Sequence, residues 1–332
     1  MATQCTNWGI LGTADVARKW VIPAIQEAKN AKLVAIASRS GKAKEIAEQF
    51  GIPKFYDRYE QLLQDPEIEI VYIPLPNHLH ADWVKKAAQN RKHVLCEKPA
   101  ALTVAQTEEM IQVCENNHVF FMEALMYQFH PQHQRVFTIM NSGEIGEIKM
   151  MRSSFSFILK QLQGNFRLHK DMGGGSLYDI GCYCIHAIRS MMRSEPIQIY
   201  AVQPTAPDNE VDLSATVILK LQNGLTTSFD CSMEMIERHT YEIVGTKGKI
   251  EVPAAFIPPT DGKGMVIVTT NEGTKRIETI QGFSYLNGIE HFAHCVLTHT
   301  EPSYTKEDCI QNIRVLEACH QSLQTGKPIS LS

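Results

Sequence analysis

The sequence has no apolar run long enough to cross a bilayer, no block of basic residues, no C-x-x-C pair, and no repeated or low-complexity segment. Each absence removes a class of protein. A membrane helix needs about 20 consecutive apolar residues, so no membrane partner is expected. Lys and Arg number 32 against 36 Asp and Glu, a formal net charge of -4, and they are scattered. The basic footprint of a nucleic-acid binder is therefore missing, and small molecules are the expected partners. Nine cysteines, odd in number and without paired spacing, argue against a disulfide framework and fit a reducing compartment. The start, Met1-Ala2-Thr3-Gln4-Cys5-Thr6-Asn7, shows neither the basic n-region nor the apolar h-region of an export signal, so a soluble cytoplasmic protein is expected.

At 332 residues with 44% hydrophobic content, the chain exceeds what one core usually accommodates, and two domains are expected. Up to about residue 125, short β-branched runs (Trp8 to Leu11, Leu33 to Ala37, Ile70 to Leu75, His93 to Cys96, Val119 to Met122) alternate with helical ones. These are Val16 to Ala28, Lys42 to Phe50, Tyr59 to Gln64, His80 to Gln89 and Val104 to Asn116, the last with Thr103 as a cap. That alternation predicts an α/β domain over 1–125, with a doubly wound parallel sheet covered on both faces. Over 126–332 the rhythm predicts an α+β domain with a large, mostly antiparallel open sheet. Strands are expected at Lys149 to Leu159, Ile197 to Val202, Asp212 to Leu221, Leu225 to Cys231, Tyr241 to Val252 and Met265 to Thr270. Helices are expected within Gly173 to Met192, Gly288 to Leu297 and Lys306 to Leu323. Leu213, Ala215, Val217, Leu219 and Leu221 alternate at period two; they line either an association surface or the underside of the domain's own helices.

The first strand-to-helix turn reads Gly12-Thr13-Ala14-Asp15-Val16-Ala17. Against the G-x-G-x-x-G fingerprint it keeps the first glycine and puts alanine at the other two positions, a degraded pyrophosphate cradle. The second strand ends Ser38-Arg39-Ser40, with Lys42 two residues on. An acid there would bind the ribose hydroxyl of NAD, whereas Arg39 suits a 2′-phosphate; NADP is favoured over NAD, the alternative being a solvated surface arginine. Leu75-Pro76-Asn77-His78-Leu79-His80 exits the third run where ribose or nicotinamide contacts are expected. Asn77 and His80 are the candidates, against the plainer readings of a helix cap and a surface histidine.

Two further segments carry chemistry: Glu97-Lys98-Pro99 at a strand exit, and Gly173-Gly174-Gly175-Ser176 followed by Asp179 and Tyr183. Together with Gly12-Thr13-Ala14 and Pro76-Asn77-x-x-His80, they resemble the glucose-fructose oxidoreductase, inositol dehydrogenase and MocA (Gfo/Idh/MocA) family over nearly the whole chain. Met122-Glu123-Ala124-Leu125-Met126-Tyr127-Gln128-Phe129-His130-Pro131 resembles the branch of dimeric dihydrodiol dehydrogenases and NADP-dependent xylose dehydrogenases. The resemblance implies a Rossmann cofactor domain, cofactor contacts from Glu97 and Lys98, and a homodimer or homotetramer.

Tyrosine, with an ordinary pKa of about 10, needs a neighbouring cation to serve as a base near neutrality. Lys98 is the candidate cation; the resemblance implies that role or a hydrogen bond to substrate. On a helix Asp179, Tyr183 and His186 fall at i, i+4 and i+7 and share one face. Tyr183 is assigned as general acid/base and Asp179 as ligand to a substrate hydroxyl. Asn165-Phe166-Arg167 resembles the family segment that reaches cofactor or substrate, a surface salt bridge being the alternative for Arg167. Tyr127, His130, His186 and Tyr285 are weaker substrate-pocket candidates. No metal is expected, because Cys182 and Cys184 sit two helical positions apart and cannot face one ion. The expected activity is NAD(P)-dependent hydride transfer with a sugar, cyclitol or cyclic diol. A non-redox sugar enzyme holding NAD, and a nucleotide-sensing regulator on the same fold, are the alternatives.

Overall fold

The buried β-branched runs of the N-terminal stretch become six parallel strands in a computed structural model that describes residues 4–204, 210–257 and 259–331. They are β1 (Thr6–Leu11), β2 (Ala31–Ala37), β3 (Lys54–Tyr56), β4 (Ile70–Ile73), β5 (His93–Cys96) and β6 (Phe121–Glu123). Their order is β3-β2-β1-β4-β5-β6, so the winding reverses between β1 and β4, where open α/β sheets present their binding crevice. β4 is buried at all four residues and β1 at five of six, as expected for a sheet covered on both faces. The connecting helices are α1 (Ile22–Glu27), entered through a π turn over Ala17–Val21, then α2 (Ala43–Phe50), α3 (Tyr59–Gln64), α4 (His80–Gln89) and α5 (Val104–Asn116). Thr103 caps α5, its Oγ1 accepting from the Gln106 amide at 3.1 Å. In this sheet the unexpected strand is β3, whose Lys-Phe-Tyr is partly exposed and carries no buried alternation.

The chain divides into two units: Met1–Met126 with Tyr285–Ile310, and Tyr127–Ser284 with Gln311–Ser332. Rhythm alone placed all of 126–332 in one domain; the returning residues 285–310 belong with the first unit because their buried Ile289, Phe292 and Ala293 complete its core, Phe292 meeting Trp8 edge-on.

The second unit begins with α6 (Pro131–Ser142), followed by β7 (Ile148–Ile158) and a π turn over Leu177–Gly181 that runs into α7 (Cys182–Met192). Then come β8 (Pro196–Val202), β9 (Ser214–Leu221), β10 (Thr226–Ser232), β11 (Glu234–Gly245), β12 (Gly248–Val252), β13 (Lys263–Thr270) and β14 (Lys275–Gln281). The next helix, α8 (Ser284–Thr298), belongs almost wholly to the first unit, and α9 (Lys306–Thr325) precedes the two-residue β15 (Ile329–Ser330). The nine strands order as β14-β13-β12-β11-β7-β10-β9-β8-β15, antiparallel except for the β7–β10 pair. The single run expected over Tyr241 to Val252 is two strands, turning at Gly245-Thr246-Lys247-Gly248. α6 escapes a sequence reading because Gln132 and His133 sit on its buried side, satisfied by backbone carbonyls rather than by apolar contact.

Burial decides between the two readings of the alternating β9 residues. Ala215, Val217, Leu219 and Leu221 all lie inside, so they line the domain's core and not an outer surface. The outer face of the sheet is nonetheless apolar in places, with Tyr200 at 36%, Val202 at 44%, Ile218 at 48% and Ile277 at 56% exposure. No helix among the described residues is long and apolar enough to cross a membrane.

Candidate active site

In the first unit the turn after β1 is built around Gly12, whose φ of +113° is a backbone conformation reserved for glycine. A Cβ there would stand 3.2 Å from Leu75 Cδ2, and the Gly12 amide donates to the Ala37 carbonyl at 2.7 Å. Thr13, Ala14 and Val16 are partly accessible beside it. Asp15 turns its carboxylate along the helix onto Arg18 and, at 3.5 Å, onto Lys19; the Arg18 hydrogen bond holds its carboxyl below the usual range.

Arg39, at the end of β2, is more than surface decoration. Its guanidinium carbon lies 4.8 Å from the ring centroid of Tyr59 and 4.8 Å from that of Trp83, while NH2 donates to Glu60 Oε1 at 3.0 Å. The side chain remains 52% exposed. Two rings therefore fix a cation that still faces solvent, with Ser38 and Ser40 hydroxyls 2.8 Å apart beside it and Lys42 exposed just beyond. A glycine cradle and a prepositioned guanidinium fit a dinucleotide carrying a further phosphate.

His80 does not present its ring to a ligand. It is fully buried, with Nδ1 2.7 Å from the Pro99 carbonyl and Nε2 2.7 Å from the Leu75 carbonyl. Burial pushes its pKa down to about 4 against the pull of those two oxygens. The ring clasps the Leu75-Pro76-Asn77 segment to the exit of β5, and Asn77, itself 5% exposed, opens a short 3-10 turn there. Lys98 follows β5 at a cis Lys98-Pro99 bond and is partly accessible. Buried carboxylates brace this exit: Glu97 accepts from the Tyr72 hydroxyl, and Glu123 accepts from the Ala100 amide and the Tyr304 hydroxyl, each at 2.7 Å. Burial pushes the Glu123 pKa up. Tyr285 stacks on Trp20 at 5.6 Å between centroids.

In the second unit, Arg167 Nε donates to Asp179 Oδ2 at 2.7 Å, and the carboxylate is 5% exposed. Asp179 in turn raises the Arg167 pKa further. Tyr183, one turn along, is partly accessible within an aromatic wall: Phe155 at 5.3 Å, Tyr127 and Phe256 each at 5.7 Å between centroids. Tyr127 also reaches His186, hydroxyl to Nδ1 at 2.6 Å, so Tyr183 and His186 do share a helix face. Burial pushes His186 down to about 3 and keeps it neutral. His130 is 1% exposed and caps α6, its Nδ1 accepting from the Gln132 amide at 3.2 Å while Nε2 meets the Gly262 carbonyl. His130 and His186 are thus both buried.

Several participants carry no local sequence signal. Tyr59 and Trp83, which clamp Arg39, sit on separate helices, and Phe155 and Phe256 come together only through the sheet. Asp212 bonds to Ser176 from 36 positions away.

Residues 6–125 match the model of an oxidoreductase family with an NAD-binding Rossmann fold, and residues 133–251 match the GFO/IDH/MocA C-terminal domain. The chain is 37% identical over 327 residues, 98% of it and 99% of the relative, to D-xylose 1-dehydrogenase (NADP(+)) 2 of Haloferax volcanii. It is 30% identical over 307 residues to trans-1,2-dihydrobenzene-1,2-diol dehydrogenase of Xenopus tropicalis, covering 89% of this chain and 90% of that one. Among solved structures, a 3-ketoreductase from Actinomadura kijaniata in complex with NADP and TDP-benzene superposes with a TM-score of 0.90 at 30% identity, covering 96% of this chain and 98% of that one.

Proposed function

Since the chain belongs to the Gfo/Idh/MocA oxidoreductase family, we propose that it moves hydride between NADP and a hydroxyl or carbonyl of a sugar, cyclitol or cyclic diol. Tyr183 is the general acid/base, Lys98 its electrostatic partner, and Asp179 the ligand to a substrate hydroxyl. The observation that carries this reading is Tyr183 itself, a partly accessible tyrosine among Phe155, Phe256 and Tyr127, one turn from a carboxylate already fixed by Arg167.

Bound NADP supplies the hydride acceptor, nicotinamide C4. The protein's own part is binding and proton transfer. Gly12 and its turn cradle the pyrophosphate, and Arg39, held between Tyr59 and Trp83, takes the 2′-phosphate. In the oxidation direction the phenol oxygen of Tyr183 takes the hydroxyl proton; in reduction it returns it. The Lys98 ammonium favours the phenolate that this requires. Phe155, Phe256 and Tyr127 offer apolar faces suited to the C–H face of a ring, and the Asp179 carboxylate accepts from a hydroxyl on its rim. The names of the relatives support the cofactor and the substrate class, and the apolar residues on the outer sheet face support a homodimer or homotetramer.

The test is nicotinamide absorbance during incubation with NADP or NAD and a panel of pentoses, hexoses, inositols and trans-diols. NADP reduction by one of these classes is expected. Binding of NADP without reduction by any of them would overturn the dehydrogenase reading.

A further inference from the structure

The helix that carries Asp179 and Tyr183 begins in an unusual way. Its first amides, which have no partners within a helix, are taken by a residue from a distant part of the chain. Asp212, just before β9, accepts from the Leu177 amide at 2.7 Å and from the Ser176 hydroxyl at 2.8 Å through the same Oδ2. Its backbone carbonyl takes the Ser176 amide at 2.7 Å. Asp212 is 6% exposed and Ser176 fully buried, so these bonds form out of competition with water. A carboxylate here also complements the positive end of the helix dipole.

The glycines before the helix are shaped to this tether. Gly175 has a φ of +110°, and a Cβ on it would stand 2.3 Å from Asp212 Oδ1. On the other side, a Cβ on Gly174 would stand 2.5 Å from the Arg167 carbonyl, which accepts the Gly175 amide at 2.9 Å. The backbone of the triplet is thus threaded between Arg167 and Asp212. Arg167 then reaches over to hold Asp179 Oδ2. Asp179 lies two residues, and Tyr183 six, beyond the Leu177 amide that Asp212 binds, on a continuous helical run.

We infer that Asp212 is a positioning residue for catalysis, fixing through Ser176, Leu177 and the glycine triplet where Asp179 and Tyr183 stand. The inference rests on the proposed roles of Asp179 and Tyr183, and its test separates the two. An ångström of misplacement at a reacting group costs on the order of 10²-fold in rate.

The experiment uses the full chain with D-xylose and NADP, with 3-fluorotyrosine incorporated at Tyr183 as a reporter of the phenol's surroundings. Asp212→Leu keeps much of the volume but has no oxygen to accept either bond. Expected are a shifted fluorine resonance, kcat lower by about 10²-fold, and KM and NADP affinity changed by less than about threefold, as follows when the group it displaces acts in the transition state. An unmoved resonance would overturn the inference whatever the activity does, and a kcat unchanged in a merely less stable protein would do the same. Should Asp212→Leu not fold, Ser176→Ala removes one arm of the tether and is read identically. Tyr183→Phe runs alongside: if it turns over normally while Asp212→Leu still moves the resonance, the acid/base reading fails and the tether stands.

Discussion

The Arg167 guanidinium and the Asp179 carboxylate are joined by a 2.7 Å hydrogen bond that spans the glycine triplet, so the carboxylate is oriented before any ligand arrives. Charge-assisted bonds of this kind contribute about 1.5–3 kcal/mol, or roughly 10- to 100-fold. Arg167→Met is therefore expected to lower kcat/KM for the substrate by that factor while NADP affinity changes little. Arg167→Lys, which keeps the charge but not the planar fork, should recover only part of the loss. Steady-state kinetics beside cofactor titration check both.

Removal of the acid/base group is the sharpest test of the chemistry. Tyr183→Phe keeps the ring among Phe155, Tyr127 and Phe256 and deletes only the hydroxyl. Turnover should fall by about 10²- to 10⁴-fold with cofactor binding intact. Lys98→Met should be comparably severe. Unchanged turnover in Tyr183→Phe would remove it from the mechanism.

The proposed 2′-phosphate site is Arg39 held between Tyr59 and Trp83. Arg39→Ala should weaken NADP binding by about 10- to 100-fold and leave NAD nearly unaffected. Trp83→Ala leaves the cation in place but loosens it, and a loss of about 0.5–1 kcal/mol, several-fold in affinity for NADP, is expected. Parallel titration of both dinucleotides decides the matter; equal losses for the two would sink the 2′-phosphate assignment.

Stability should fall on mild acidification. His133 and His186 are pushed down to about 3, and His80 to about 4, by burial in each case. Their unfolded counterparts titrate near 6.5. Below that value the unfolded chain binds more protons than the folded one, so the stabilisation present above pH 6.5 is lost progressively toward pH 4. At pH 5.5 each such imidazole costs the fold on the order of 1 kcal/mol. Denaturant unfolding at pH 7 and 5.5 should show this loss. His133→Gln should lessen it, since that ring sits between the Tyr241 hydroxyl and the Ala255 carbonyl and titrates only on unfolding.

What the sequence reveals and what it hides divide along physical lines. α3, α4 and α5 begin and end where periodicity and capping place them, because each is a local amphipathic segment with its own stop signals. β3 and β14 are hidden, since they pair at or near sheet edges and need no continuous buried face. For the site, motif positions propose Gly12, Arg39, Lys98, Asp179 and Tyr183 through their residue types. They do not locate the groups that hold them. Trp83 against Arg39 and Asp212 against Ser176 are long-range contacts fixed by topology. His80 shows the reverse: its type suggests a ligand contact, while two backbone carbonyls occupy both of its nitrogens.

The two ends of the nine-stranded sheet are of unlike construction. At one side β15 offers only two residues, and at the other β14 carries Lys275, Arg276 and Glu278, with Arg276 bound to Glu144 and Glu278 to Arg135. A long bare strand of Ile and Thr at that margin would be a template for adding strands from other molecules, the opening step of fibril growth. Charge on one margin and brevity on the other keep so wide a sheet finite. Neutralising the ionic side chains of β14 is therefore expected to lower solubility.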